Sequence, residues 1–169
     1  MAIGDNALRN AIAFYMEWIS DVSASGQMLP DDEWSAPLFT YLLTKKQLND
    51  LNKLCAENDW PPQTCNGITF FPQTIKHILT SRGGKDGLSW QECAEVLAAA
   101  LNPRSSVAVE KGHDQQVIVL NSLDVLKVGP TGQKYRGMLI VEVSINDLAP
   151  VTAYHASEAK SRAIMRNGR

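Results

Sequence analysis

The chain has 169 residues, of which 44% are hydrophobic and 20% are charged. That length suffices for one globular domain with a substantial core, and no hydrophobic run approaches the roughly 20 residues of a membrane-spanning helix. The first residues, MAIGDNALRN, lack the basic region and apolar core of a signal peptide. Cys55, Cys65 and Cys93 fit neither a disulfide framework nor a zinc site, so we expect a reducing, cytoplasmic location.

The net charge of −2 conceals two parts of opposite sign. Residues 1–67 contain 4 Lys and Arg against 9 Asp and Glu, whereas residues 68–169 contain 12 against 9. A mildly basic second part is compatible with a nucleic-acid partner. The acidic first part can either shield that part or form an ordinary solvated surface.

Residues 1–60 are predicted to form a helical module. The spacing of apolar residues predicts helices over Asn6–Ser23, Leu38–Leu43 and Lys45–Asn58, with Thr44 as the N-cap of the third. Two prolines after Trp60 and an Asn-Gly turn then interrupt the chain. Residues 61–67 are therefore predicted to be a linker.

Residues 68–169 are predicted to form an α+β domain. Its first stretch, Ile68–Gly84, is predicted as a strand and a helix that begins near Pro72. A capping-box pair, Ser89 and Glu92, predicts a second helix over Trp90–Leu101.

The apolar period then changes to two, which predicts an antiparallel sheet of short strands. These are Ser105–Glu110, Gln116–Leu120, Asp124–Val128, Gly137–Ile145 and Val151–His155. A last helix is predicted over Ser157–Arg166, with Lys160, Arg162 and Arg166 on it. Helices, then strands, then a terminal helix is the order of an α+β fold.

The sequence carries no pattern that predicts a metal or a cofactor. The three histidines, His77, His113 and His155, are not linked by HxxxH, HExxH or CxxC spacing. Neither a P-loop, nor GxGxxG, nor GxSxG is found. His113 lies in a polar turn and is predicted to be a surface residue, and Cys93 is predicted to be a buried structural thiol.

The remaining candidates suit RNA cleavage by attack of a ribose 2′-hydroxyl on the adjacent phosphorus. Histidine is fitted to the acid–base steps, and Arg and Lys stabilise the charge on the phosphoryl oxygens. Strand alternation predicts Thr152 and Tyr154 on one face and His155 on the other. A solvated helix edge around His77 and a solvated hairpin rim remain open as plainer interpretations. The candidates are His77, Arg82, Lys134, Arg136, Thr152, Tyr154 and His155.

The segment from Ile68 onward resembles phage-associated members of the barnase, EndoU, colicin and RelE-like superfamily of nucleases. The resemblance covers about 100 residues and rests on four short motifs in order. These are ITFFPQTIKHIL with its histidine, LSWQECAEVLAAALNP, the hairpin GQKYRGMLIVEV, and Val151-Thr-Ala-Tyr154 before the last helix. It implies metal-independent RNA cleavage, as in toxins and phage or conjugative proteins.

One departure from the family pattern concerns the helix histidines. Many relatives have a second histidine shortly after the first, where this chain has Leu79-Thr-Ser-Arg82. Arg82 can replace that residue as a phosphate binder but not as a general base. His155 is then a possible partner for His77, or the protein is inactive.

The resemblance thus implies that His77 is the general acid or base. It also implies that the phosphate is bound by Arg82, Lys134 and Arg136. Thr152 and Tyr154 would line the site, and His155 would contact substrate. The implied partners are RNA, such as tRNA or mRNA, and a cognate immunity or antitoxin protein, with no membrane, no cofactor and an open oligomeric state. A toxin could also be delivered to a target cell. The alternatives are an inactive binding module of the same fold that docks on a partner protein, and a structural protein.

Overall fold

A computed structural model describes residues 3–26, 35–110, 116–127 and 133–167. His113 and the predicted turns at 111–114 and 129–132 lie outside the described residues. The fold is α+β, as predicted, with helices and antiparallel strands in the order α1 (Ile3–Ala24), β1 (Phe39–Leu42), α2 (Lys45–Glu57), β2 (Gly67–Phe70), α3 (Pro72–Asp86), α4 (Trp90–Ala100), β3 (Ser106–Val109), β4 (Val117–Lys127), β5 (Lys134–Ser144), β6 (Asp147–Ser157) and α5 (Glu158–Asn167).

The main sheet has four antiparallel strands in the order β3-β4-β5-β6. Since side chains alternate along a strand, the sheet has two distinct faces. On the α4 face, Leu120, Leu139 and Ala153 join the larger core beneath α3 and α4. On the α5 face, Val119 and Met138 belong to a smaller buried cluster that Ile164 of α5 helps to cover. The strands predicted as Gln116–Leu120 and Asp124–Val128 are one strand, β4, with a register shift between Asn121 and Val125.

Leu38–Leu43, predicted as a short helix, forms strand β1 instead. Its residues pair antiparallel with β2, so that Phe39 lies opposite Phe70 and Leu42 opposite Gly67. Tyr41 is buried and Leu42 is 62% exposed, which is the alternation of a strand. The prediction is wrong because a six-residue segment with five apolar residues does not distinguish helix from strand, and the pairing partner lies far along the chain.

This pairing crosses the predicted 61–67 linker. One hydrophobic cluster contains Ile12 and Leu51 from the predicted module together with Phe70 and Leu97 from the predicted domain. Helix α1 packs on α3 and α4. The two predicted parts therefore share a single core.

Both helix caps that were predicted are present. Thr44 accepts a hydrogen bond from the Gln47 backbone N–H, and the Gln47 side chain accepts one from the Thr44 N–H. Ser89 and Glu92 make the same reciprocal pair at α4. Each pair satisfies two N–H groups that a helix start leaves without partners.

The buried Gln47 side chain also joins α2 to the turn after α4. Its Nε2 donates to the carbonyls of Asn102 and Ser105, at 2.9 and 3.1 Å. We predict that Gln47→Leu lowers the free energy of unfolding by about 2 kcal/mol, because one buried and one partly buried carbonyl lose a donor. Denaturant unfolding monitored by circular dichroism measures this. The exposed control Gln91→Leu, on the α4 surface, should change stability by less than about 0.5 kcal/mol.

Gly137 lets α4 approach β5 closely. A Cβ at this position would lie 2.5 Å from the carbonyl oxygen of Val96 and 3.1 Å from the Cβ of Ala99. Only a residue without a side chain permits this backbone contact. Its neighbour Arg136 consequently points to the opposite side of the sheet, the α5 face.

Candidate functional site

Two cations from different parts of the chain meet on the ring of Tyr154. The guanidinium carbon of Arg82, on α3, lies 6.0 Å from the ring centroid, and the Nζ of Lys160, on α5, lies 4.8 Å from it. Both distances are those of cation–π contacts. Tyr154 is half-buried on the α5 face of β6, opposite Met138. We call these three residues the Tyr154 cluster.

Arg82 is held in this position by its own helix. Its Nη1 donates to Oδ2 of Asp86 at 2.8 Å, one turn further along α3, and the arginine side chain is only 16% exposed. The left-handed Gly87 ends the helix directly afterwards and donates its N–H to the Arg82 carbonyl. The guanidinium is thereby fixed beside the edge strand β6.

Tyr154 keeps its proton over the whole physiological range. Burial is the main cause that raises its pKa to about 12. The carboxylate of Glu110 raises it further, and the positive charge of Arg82 partly opposes this. The hydroxyl is therefore protonated at neutral pH and can donate a hydrogen bond or a proton.

His155 follows Tyr154 on the other face of β6, as strand alternation predicts. It lies opposite Gly137, and its ring packs nearly perpendicular to that of Tyr135, with 4.6 Å between centroids. Burial is the main cause that lowers the pKa of His155 below its ordinary value. Among the nearby charges, Asp86 and Glu92 raise this pKa, whereas Arg82 lowers it. The imidazole is neutral at pH 7 and can accept a proton.

Among the residues that the structure describes, four buried polar atoms lack a hydrogen-bond partner, and three of them belong to residues on or beside β6. They are Nε of Arg82, Oε2 of Glu110, Oγ1 of Thr152 and Nδ1 of His155. Native structures leave few such atoms, and a catalytic role is one explanation for those that occur. Three of the four belong to residues that the sequence singled out.

The structure does not bring His77 to this group. Its side chain is exposed on α3, and Arg82 follows it by five residues, about 140° around the helix. The solvated helix edge that the sequence left open describes this position. Lys134 is likewise exposed, at the start of β5.

Arg136 belongs to a different place on the α5 face. It lines a cavity of about 690 Å³ beside α5, together with Arg162 and Arg166. Its Nη2 lies 3.4 Å from Oε1 of Glu158. Arg136 and Tyr154 therefore share a sheet face but not a pocket.

Sequence reasoning missed the roles of Glu110, Glu158 and the α5 cations in these two places. The sequence did contain a signal for the cavity beside α5. Its lining residues Glu158, Arg162 and Arg166 recur every four residues and so share one side of a helix. The approach of Lys160 and Glu110 to Tyr154 depends on tertiary packing, which no local pattern reports.

Comparison with known proteins identifies no relative: no family model, curated protein or solved structure matches this chain. Among residues 3–26, 35–110, 116–127 and 133–167, no three His, Cys, Asp or Glu side chains are grouped so as to hold a metal ion. Within the same ranges, no helix has the length and apolarity needed to cross a membrane.

Proposed function

We propose that this protein binds RNA at the edge of β6 and cleaves it without a metal ion, by transesterification through the ribose 2′-hydroxyl. The observation that carries the proposal is the convergence of Arg82 and Lys160 on Tyr154, beside His155. A phosphate that enters between two cations gains charge-assisted hydrogen bonds. An aromatic ring at the same point provides a surface on which a base can stack.

The chemistry needs a base, an acid and a cation near the phosphorus. His155 is the candidate base, because its lowered pKa leaves it neutral at pH 7. Tyr154 is the candidate acid, since its raised pKa keeps a proton available for the leaving 5′-oxygen. Arg82 and Lys160 would stabilise the negative charge that develops on the phosphoryl oxygens.

The proposed acid and base, Tyr154 and His155, lie on opposite faces of β6, so the substrate must reach both faces of this strand. β6 is an edge strand of the four-stranded sheet, so a backbone phosphate placed at that edge has both faces within reach. The Arg82 charge acts on both Tyr154 and His155. The phosphate would therefore lie beside Arg82, and the nucleotides on either side of it would reach the two faces.

The position of His77 favours a second candidate, the inactive binding module. This residue was the expected general acid or base, and it is exposed and apart from the Tyr154 cluster. A protein that retains cations at the strand edge without a working base would bind RNA or a partner protein and leave it intact. RNA cleavage separates the two functions.

The test is incubation of the pure protein with tRNA and ribosomal RNA in EDTA. Discrete fragments with 2′,3′-cyclic phosphate ends are expected. Tyr154→Phe should lower the rate by roughly 10²- to 10⁴-fold, because the proton donor is lost while the ring remains. The matched control is Tyr15→Phe on α1, which also removes one tyrosine hydroxyl but lies outside the proposed site, and it should leave the rate unchanged. RNA that stays intact with the wild-type protein would leave the binding module as the function.

A further inference from the structure

The arginine cavity is a second feature of the α5 face, separate from the Tyr154 cluster. It lies where α5 crosses the sheet and has a volume of about 690 Å³. This is within the range of small-molecule sites in proteins, about 300–1,000 Å³. Three of the residues that line it are arginines, Arg136, Arg162 and Arg166, and one is an acid, Glu158.

The positive charge in this cavity exceeds the negative charge. Arg136 is paired with Glu158, with 3.4 Å between Nη2 and Oε1. Arg162 and Arg166 form no ion pair with any residue that the structure describes. Both side chains are exposed and extend from the same side of α5. Two guanidinium groups are thus available to an anion that enters.

The cavity lining also contains polar side chains that are held in place by hydrogen bonds. Asn121 and Ser161 are both buried and hydrogen-bond each other, with Nδ2 donating to Oγ at 2.7 Å and Oγ 3.0 Å from Oδ1. The hydroxyl of Ser122 accepts the Gly137 N–H at 2.9 Å. Of the α5 side chains that the structure describes, only Ser161 is buried. This pair therefore positions the helix that carries the arginines.

We propose that the arginine cavity binds a phosphate group, supplied either by a free nucleotide or by an RNA backbone. The planar fork of arginine matches two phosphate oxygens at once. The cavity also has room for the sugar or base that the phosphate carries. Binding here requires no cleavage and does not depend on the Tyr154 cluster.

Binding is measured by isothermal titration calorimetry at low salt with four probes. These are inorganic phosphate, adenosine 5′-monophosphate, unphosphorylated adenosine, and an RNA oligonucleotide with 2′-O-methyl riboses, which cannot be cleaved through the 2′-oxygen. Adenosine should not bind, and at least one phosphate-bearing probe should bind and weaken as salt is raised. Binding of the nucleotide identifies a small ligand, whereas binding of the oligonucleotide alone identifies an RNA backbone.

The variants assign the site. Arg162→Gln and Arg166→Gln should each weaken binding about tenfold, since each removes charge-assisted hydrogen bonds worth roughly one factor of ten or more. The matched control is Arg9→Gln, an exposed arginine on α1, and it should change nothing. Equal affinity in all three variants, or no binding of any phosphate-bearing probe by the wild-type protein, would overturn the proposal.

Discussion

His155→Gln should lower the rate of RNA cleavage by about 10²- to 10⁴-fold, the range expected when a general base is removed. Glutamine keeps the size and polarity of the side chain but cannot accept a proton at neutral pH. His77→Gln is the matched control and should change the rate by less than about twofold, because His77 is exposed on α3 and apart from the Tyr154 cluster. The same assay of fragments with 2′,3′-cyclic phosphate ends measures both variants.

The pH profile of the wild-type protein supplies an independent measure of the same group. A base must be neutral to act, and burial lowers the pKa of His155 below its ordinary value of 6.5. The rate should therefore be level through pH 7 and fall only as the pH drops below 6.5. If His77→Gln loses activity while His155→Gln retains it, the base is His77 and the assignment to His155 is wrong.

Phe70→Ala should lower the free energy of unfolding by about 3–5 kcal/mol, the usual cost of truncating a buried aromatic residue. Phe70 is fully buried and stacks on Phe39 with 4.8 Å between ring centroids. Because it lies in the cluster that joins residues 1–60 to residues 68–169, the loss should destabilise both at once. Denaturant unfolding should show a single transition, shifted as a whole, by far- and near-ultraviolet circular dichroism.

The control for this substitution is Phe14→Ala. Phe14 is 64% exposed on α1, so its truncation should cost less than about 0.5 kcal/mol. Two separated transitions in the Phe70 variant, one of which is unshifted, would contradict a shared core. They would instead support the predicted division into two parts at residues 61–67.

Features that depend on neighbouring residues could be predicted from the sequence. The caps at Thr44 and Ser89 are confirmed because each involves residues three apart. The separation of Tyr154 from His155 onto two faces follows from strand alternation alone. The α+β class followed from the change of apolar period after residue 103.

Features that depend on distant residues could not be predicted. Strand β1 was missed because its hydrogen-bonding partner, β2, follows it across the whole of α2. Arg82 and Tyr154 are 72 positions apart, so no local sequence pattern indicates that they lie in contact. Conversely, the family pattern drew attention to His77, and tertiary packing left that residue exposed.

The attachment of α5 to the sheet has a consequence for hydrogen exchange. Helix α5 buries little of its surface on the sheet: of its side chains that the structure describes, only Ser161 is buried, and its Glu158–Arg136 and Lys160–Tyr154 contacts are partly exposed. In the central strand β5, by contrast, Met138–Val141 are all buried. Opening of α5 should therefore require less free energy than global unfolding, and its amides should exchange well before those of β4 and β5. A phosphate bound in the arginine cavity, which α5 and the sheet form together, would favour the closed state and slow that exchange selectively. Amide exchange would thus report occupancy of the cavity while the rest of the fold served as an internal reference.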